Sequence, residues 1–494
     1  MIDVLIIAEG TYPYVSGGVS TWIHQLITNM KDVKFGILFL GSRQEDYKNI
    51  KYKLPENLTY FKKIFIFDDY SFKKYRKSYS CKGNPEIFMS LFEENIKDYD
   101  NFLNPDFYKK NFPYECFLQN KNIYYFIENL YQKRGYNLHF SDFFWTIRNV
   151  LTPLWYIFNE IDDVFNEDIA LVHSPSTGYA GLLGASIKQK MNIPFILTEH
   201  GIYTKERKID IVQAKWIKEF PMFYNYYDLD PLKRVWTDFF TNLGKISYDK
   251  ADKIVSLYEG ARKIQISLGA KPEKTVIIPN GIDVNMLASL RKDSIPKRIA
   301  FLGRVVKIKD VKTLIKAFKI LSLKAKDVEC WIVGPEDEEP DYAKECRELV
   351  KNFELENKVI FKGFMNIKDL FPHVGLVTLT SISEGMPMVI LESFAAGIPF
   401  VATDVGACRQ LIEGGLNEED IAIGPAGFVT KVGDASALAE SYYKILYDEA
   451  LYKTFQKNAI ERVERFYTKE NMINSYKHLY DELKESYGRY RLSA

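Results

Sequence analysis

A chain of 494 residues with 47% hydrophobic content can bury a sizeable core and points to two or three domains. Its 66 basic residues nearly cancel its 65 acidic ones, so the net charge of +1 gives no electrostatic case for nucleic acid as a partner. The five cysteines (Cys81, Cys116, Cys330, Cys346, Cys408) are odd in number, scattered and without a CxxC pair, which argues against a disulfide framework and a zinc cluster and fits a reducing cytoplasm.

The chain opens on the apolar run IDVLIIA (2–8), which breaks at Glu9 and is too short for a membrane span; no later run approaches that length, so a soluble protein is expected. Behind it come the loop EGTYPYVSGG, the amphipathic pattern VSTWIHQLITNM and the apolar run KFGILFL, together a βαβ opening. The adjacent Gly17 and Gly18 put bare backbone in front of a helix start, where an anion can be approached closely. A nicotinamide-dependent oxidoreductase would carry GxGxxG here, and YVSGGVS does not supply it.

From 43 to about 150 the periodicity is irregular and the sequence rich in Lys, Asn, Phe and Tyr, which reads as an insertion. The α/β rhythm resumes with IALVHSPSTGYAGLLGASIKQ (169–189), PFILTEHG (194–201), ADKIVSLYEGARKIQISLGA (251–270) and KTVIIPNGID (274–283). The charged, proline-containing RKDSIPKR (291–298) is the best linker candidate. A second series follows: KRIAFLG, a helix near 312–325, VECWIVG, a helix near 341–353, KVIFKG, GLVTLT, a helix near 388–396 and PFVAT. The last hundred residues read as mostly helical and polar, either capping the second unit or crossing back to the first.

Two segments could carry chemistry. SISEGMPMVILESFAAGIP (381–399) places Glu384, Gly385 and Met386 in a loop after a strand, then a helix starting near Pro387 that contains Glu392. The free N–H groups of Met388 and Val389 would point toward an anion at the helix start. Eight helical residues rise about 12 Å, beyond the roughly 5 to 9.5 Å carboxyl separations of glycoside hydrolysis, so binding ligand hydroxyls at two points suits Glu384 and Glu392 better. In AFLGRVVKIKDVKTLIKAF (300–318) a strand delivers Gly303 and Arg304 into a loop, with Lys309 five residues on, and two such cations can reach one diphosphate. At an effective dielectric near 20, a charge contact at about 4 Å is worth about 4 kcal/mol before desolvation. Alone, either segment also fits an ordinary solvated helix face.

FLGRVVKIKD, IIPNGID and SEGMPMVILE resemble retaining GT-B glycosyltransferases of family 4. EGTYPYVSGGVSTW, HSPSTGYAGLLGA and TEHGIYTKER are similar to one branch of them, the PelF proteins of Pel exopolysaccharide synthesis. The resemblance implies an α/β GT-B fold: two Rossmann-like doubly wound domains facing each other across a donor-binding cleft. They would span 1–290 on the acceptor side and 291–468 on the nucleotide-sugar side, with a helix at 469–494 crossing back. It further implies that Arg304 and Lys309 bind the donor diphosphate, that Glu384 meets the hydroxyls of the transferred sugar and Glu392 the ribose, and that the backbone of Met388 and Val389 holds phosphate. The base would lie near Gly363 and Phe364.

From the N-terminal half the resemblance implies donor contacts by Gly17 and Gly18 and a catalytic His200. His173, Glu206, Arg207, Tyr14 and its neighbour Tyr12 are placed on the acceptor side, with loop ordering and charged-loop roles as the plainer alternatives. The implied reaction is transfer of a hexose or N-acetylhexosamine, UDP-glucose being the leading donor, to an exopolysaccharide or other glycan, with no cofactor and no metal. Membrane-bound synthesis or export proteins are the expected partners, and peripheral attachment at the membrane's inner face follows from them. A nucleotide-sugar epimerase and a non-catalytic UDP-sugar-binding protein are the alternatives. Two acidic runs are read as decoys: DLD (228–230) follows aromatic-rich sequence instead of a buried strand, and EDEEPD (336–341) reads as a solvated loop or helix start.

Overall fold

The computed structural model describes residues 1–68, 81–93, 99–134, 138–217 and 229–491. The short apolar runs become strands: β1 (Val4–Glu9), β2 (Phe35–Gly41), β3 (Leu58–Phe65), β4 (Val172–Ser174), β5 (Phe195–Glu199), β6 (Lys253–Ser256) and β7 (Thr275–Ile277) form one sheet in the order β3-β2-β1-β4-β5-β6-β7. A second sheet holds β8 (Arg298–Leu302), β9 (Glu329–Val333), β10 (Val359–Gly363), β11 (Leu376–Leu379), β12 (Phe400–Thr403) and β13 (Gly427–Thr430), in the order β10-β9-β8-β11-β12-β13. Helices join parallel strands in both, which is why the inner strands are apolar throughout instead of alternating, whereas the edge strand β3, LTYFKKIF, is mostly half-exposed. In each sheet the strand order reverses beside the first strand, between β1 and β4 and between β8 and β11. Such a reversal opens a crevice at the carboxyl ends of the strands.

Two compact units result, each with its own apolar core: 1–256 with 262–276 and 476–494, and 257–261 with 277–475. The expected linker at 291–298 lies inside the second unit. Arg291 donates to the carbonyl of Ala395 at 2.9 Å and Lys292 to that of Phe371 at 3.0 Å. Charges that read as solvent-facing thus cap backbone carbonyls left open where the chain turns. The last helix, Lys469–Arg491, gives its residues from Tyr476 onward to the first unit.

The irregular stretch after residue 43 contains an edge strand, β3, missed in the sequence, and a layer of helices packed through aromatic rings. Trp155 stacks on Phe117 at 4.2 Å, and Tyr108 stacks on Phe158 at 4.3 Å. Here the expectation about cysteines is overturned: Cys81 and Cys116 are joined by a disulfide, with Cα atoms 5.8 Å apart. Their 35-residue separation gives no local signal of pairing; the fold of this layer brings them together. Cys330, Cys346 and Cys408 are free and buried. Among the described residues no helix is long and apolar enough to cross a membrane.

Candidate active site

In the second unit the strand-end loops brace one another. The Gly303 amide donates to Val333 O and the Gly334 amide to Gly363 O, both at 2.9 Å, tying the ends of β8, β9 and β10 together. A side chain at Gly334 would put its Cβ 2.0 Å from Gly303 O, so glycine is obligatory there. From this platform Arg304 reaches both carboxyl oxygens of Glu338 through Nη1, at 2.5 Å each, with half its side chain exposed. The acidic run at 336–341 leads into the helix Pro340–Asn352, the helix start that was one of its two expected readings, and it also holds cations: Glu338 holds Arg304, Glu336 holds Arg347, and the Glu339 carboxylate accepts from the Lys307 amide.

At the end of β11, Lys309 Nζ lies 2.6 Å from Glu384 Oε1, and the Ser381 hydroxyl donates to the same oxygen at 2.5 Å. Both side chains of the pair are largely buried, at 17% and 11% exposure. The Thr380 hydroxyl donates to the carbonyls of Lys309 and Asp310, locking the lysine loop to the strand end. Lys309 and Glu384, 75 residues apart, are thus brought into direct contact. Arg304 leaves the end of β8, the strand that pairs with β11.

The loop carrying Glu384 and Gly385 rests on Gly406, a residue the sequence reading did not single out. Gly406 has φ +55°, and a Cβ there would lie 2.3 Å from Gly385 O and 2.4 Å from Glu384 O. The next amide, Ala407 N–H, donates to Gly385 O at 2.8 Å. The following helix runs Met388–Ala395; Pro387 sits at its cap position, one residue before the first turn where it was expected, and no side chain caps it. Met388, Val389 and Glu392 are half-buried, and burial pushes the Glu392 carboxyl pKa upward. Met386 belongs to the core. Gly363 (φ +62°) ends the edge strand β10, and the Phe364 ring beside it is 87% exposed.

In the first unit a cavity of about 580 Å³ opens at the carboxyl ends of β1, β2, β4 and β5. Glu9, the last residue of β1, accepts from the Ala180 amide at 2.9 Å and from the Tyr203 hydroxyl at 3.1 Å. Burial pushes its pKa up, against the lowering effect of these donors and of the Arg207 charge. Arg207 donates to the Tyr203 hydroxyl at 3.0 Å and lies over the Tyr203 and Phe240 rings. His200 follows β5 with its ring 4.6 Å from Trp22; burial pushes its pKa down to about 4, leaving a neutral imidazole whose Nε2 is buried without a partner. Glu206 lines the same cavity. Sequence reasoning passed over Glu9, Trp216 and Trp236 there; the one available signal was a carboxylate ending an apolar strand.

Three acceptor-side expectations are corrected. Tyr14 is buried against Phe39, Tyr47 and Phe61, and Tyr12 against Tyr52 and His24, because the loop folds its aromatic rings under itself. His173 is fully buried between the Tyr480 hydroxyl and Thr198 Oγ1, both at 2.8 Å, and burial pushes its pKa down to about 3; it fastens elements together. Gly17 and Gly18 are exposed at the start of the helix Gly18–Asn29, and a Cβ at either would meet nothing within 4 Å, so protein packing does not demand them. Asp230 caps the helix Pro231–Lys250, while Asp228 lies outside the described residues. Among the described residues no group of three or more His, Cys, Asp or Glu is placed to hold a metal.

Comparison with known proteins bears on the family and the fold. Residues 285–462 match the family described as glycosyl transferases group 1. Relatives include the N-acetyl-alpha-D-glucosaminyl L-malate synthase of Bacillus anthracis, 28% identical over 35% of this chain and 42% of the relative. Another is the capsular polysaccharide biosynthesis glycosyltransferase CapM of Staphylococcus aureus, 28% identical over 39% and 48%. The chain spans less than half the length of these two relatives. Among solved structures, HepE of Anabaena in complex with UDP superposes with a TM-score of 0.61 at 17% identity over 97% of this chain and 100% of that one. The sucrose-phosphate synthase of Thermosynechococcus elongatus gives 0.59 at 16% identity over 98% and 99%. These likenesses establish the GT-B architecture. Residues 2–273, more than half of the chain and inclusive of the aromatic layer, match a family described as a domain of unknown function, DUF3492. The chain therefore belongs to the DUF3492 family, with a glycosyl transferases group 1 domain following on the GT-B fold.

Proposed function

We propose that this protein is a retaining glycosyltransferase that takes a hexose or N-acetylhexosamine from a UDP-sugar, UDP-glucose foremost, and adds it to a glycan acceptor in exopolysaccharide synthesis of the PelF kind. The observation that carries the reading is the Lys309, Glu384 and Ser381 cluster, with Arg304 on the adjoining strand end, at the strand-order reversal of the second sheet. The UDP complex of HepE, a structural neighbour, supports the choice of nucleotide.

Donor binding would exchange the carboxylate of Glu338 for phosphate at Arg304. Lys309 and the uncapped start of the helix Met388–Ala395 add positive potential to the same diphosphate. As the sugar–phosphate bond breaks, charge grows on the leaving oxygen, and fixed cations stabilise that charge more than the ground state. Retention follows from same-face displacement: the acceptor oxygen bonds to the anomeric carbon while its proton passes to the departing phosphate oxygen. Glu384, anchored by Lys309 and Ser381, keeps Oε2 to hold a sugar hydroxyl.

A melting-temperature screen against UDP-, GDP- and ADP-sugars tests this, since a ligand that binds only the folded state raises the midpoint by mass action. UDP-sugars are expected to give the largest rise, and release of UDP should require an added acceptor. A larger rise with ADP- or GDP-sugars, or conversion of the donor sugar without acceptor, would overturn the reading.

A further inference from the structure

Strand β5 ends on a buried carboxyl group, Glu199, one residue before His200. Its Oε1 accepts from the Tyr203 amide at 3.2 Å, and its Oε2 accepts from the Tyr248 hydroxyl at 2.6 Å and from Gln265 Nε2 at 3.0 Å. The three donors stand on three helices, Tyr203–Gln213, Pro231–Lys250 and Glu259–Ser267. All three are uncharged, so hydrogen bonding, not an ion pair, holds this carboxyl in the core. A carboxylate accepts at several points and donates at none, whereas a glutamine in its place would turn N–H groups of its own on the donors. The arrangement suits the ionised acid, and the helix start at Tyr203, which its cap residue leaves uncapped, adds its dipole in the same sense.

Between Glu199 and Tyr203 lie only His200, Gly201 and Ile202, so the bond from the Tyr203 amide to the carboxylate clasps the loop that carries His200. Tyr203 is fixed at its other end as well: its hydroxyl donates to Glu9 at 3.1 Å, and a Cβ on Gly178 would lie 2.6 Å from its Cζ. One atom beside the carboxyl is at odds with this state. Gln265 Oε1 is buried without a partner, although buried acceptors nearly always have one. If Glu199 takes up a proton, the Gln265 amide, turned over about its last torsion, offers Oε1 to the new O–H. Nε2 then gives up Glu199 and the Val255 carbonyl, which it reaches at 3.4 Å. The Tyr203 amide is left on a neutral carboxyl oxygen, a weaker acceptor than a carboxylate.

We propose that Glu199 is the positioning residue for His200: its carboxylate fixes the loop in the geometry that transfer uses, and a proton on it, received by Gln265, releases that hold. The assignment rests on the glycosyltransferase reading above.

Burial raises the Glu199 carboxyl to about 7 against the lowering effect of its three hydrogen bonds, and the nearby Glu206 raises it further. Among the described residues, the titratable groups facing it are Tyr203 and Glu206 on one helix and Tyr248 on another; Gln265, and Ser256 opposite it on β6, do not titrate. His200 ionises far lower, at about 4, and His173, the other histidine against Trp22, at about 3, so neither accounts for a change near pH 7.

The test uses the full chain labelled with fluorotryptophan. The Trp22 signal, identified by Trp22→Phe, is followed by fluorine NMR through a pH titration, because the Trp22 ring lies 4.6 Å from that of His200. In the unaltered chain it should shift with a midpoint near 7. Glu199→Gln should abolish that step. Tyr248→Phe, which keeps the ring and removes one donor to the carboxylate, should raise the midpoint by about half a pH unit or more, and it decides the matter should Glu199→Gln not fold. In transfer assays kcat should fall with the same midpoint as pH is lowered, and Glu199→Gln should lower kcat by about tenfold or more while donor KM stays within about twofold. A purely structural carboxyl gives no step at Trp22; absence of the step, its survival in Glu199→Gln, or a midpoint unmoved by Tyr248→Phe would overturn the proposal. Calorimetric binding of UDP is read on the same samples: failure of the unaltered chain to bind UDP strikes the glycosyltransferase reading, whereas UDP binding without the step strikes only this inference.

Discussion

Lys309 and Glu384 are held against each other largely out of water, so each is preorganised at the cost of being committed to the other. In Glu384→Ala the lysine keeps its charge and loses its partner. Transfer should fall by about 100-fold or more, while UDP affinity stays within a few fold, because under the proposed function the freed ammonium still faces the diphosphate. Steady-state kinetics beside calorimetric titration of UDP separates the two effects, and retention of most activity would refute the assignment of Glu384. Arg304 differs: its partner Glu338 is half exposed, and an exposed ion pair contributes only about 0–1 kcal/mol. Under the proposed function Glu338→Gln removes a competitor of the donor and should tighten UDP binding by up to about fivefold. Arg304→Ala should weaken UDP and UDP-sugar together.

The elements bearing these residues are held by contacts that no local pattern announces. The Glu384–Gly385 loop lies on Gly406, where an alanine would have both a left-handed backbone and a Cβ inside the contact distance of two carbonyl oxygens. Gly406→Ala should displace the loop and lower transfer by at least about tenfold, since misplacement of a reacting group by about 1 Å can cost 10²-fold. Donor KM should rise together with the loss of turnover. Behind the site, Arg462 is fully buried and fastens the helix Glu449–Phe466 to the helix Glu418–Ile423: its Nε meets Asp420 Oδ1 at 2.6 Å and its other nitrogens take the carbonyls of Ile412, Asp420 and Gly424. Arg462→Met strands the Asp420 carboxylate in the core and should cost about 3–5 kcal/mol in denaturant unfolding; adding Asp420→Leu should recover much of it.

At the scale of the whole molecule, buried titratable groups set how stability responds to pH. His173 and His200 stay neutral in the fold, with pKa values pushed down to about 3 and about 4, while the unfolded chain protonates each below about 6.5. Their contribution is complete above 6.5 and is lost as pH falls toward 4. Glu199 opposes them: burial among the Tyr248 hydroxyl, the Gln265 amide and the Tyr203 N–H raises its pKa to about 7 from the ordinary carboxyl value of 4.5. The fold keeps that proton where the unfolded chain has released it, so this group destabilises as pH rises from 4.5 to 7. Taken alone, these three groups leave a net of about one proton, or roughly 1 kcal/mol of stability lost per pH unit between pH 6 and 5, and the raised carboxyls of Glu9, Glu206 and Glu392 act with Glu199 to reduce that slope. Chemical denaturation across that range measures the slope; Glu199→Gln should steepen it and His173→Gln should flatten it.

Periodicity and composition determined the two βα series, the strand-end loops and the cations and carboxylates on them. These are local properties: apolar runs of strand length, helix starts and loop glycines are written within about 20 residues of sequence. The tertiary structure alone decided who meets whom. Glu338, 34 residues from Arg304, became its counter-ion; Cys81 and Cys116 paired; Tyr14 turned inward; and Glu9, the residue on which the first strand stops, joined Trp216 and Trp236 around one cavity. Each of these depends on strand order and on which faces pack. Contacts between residues tens to hundreds of positions apart are set by the packing of whole elements, and no window of sequence contains them.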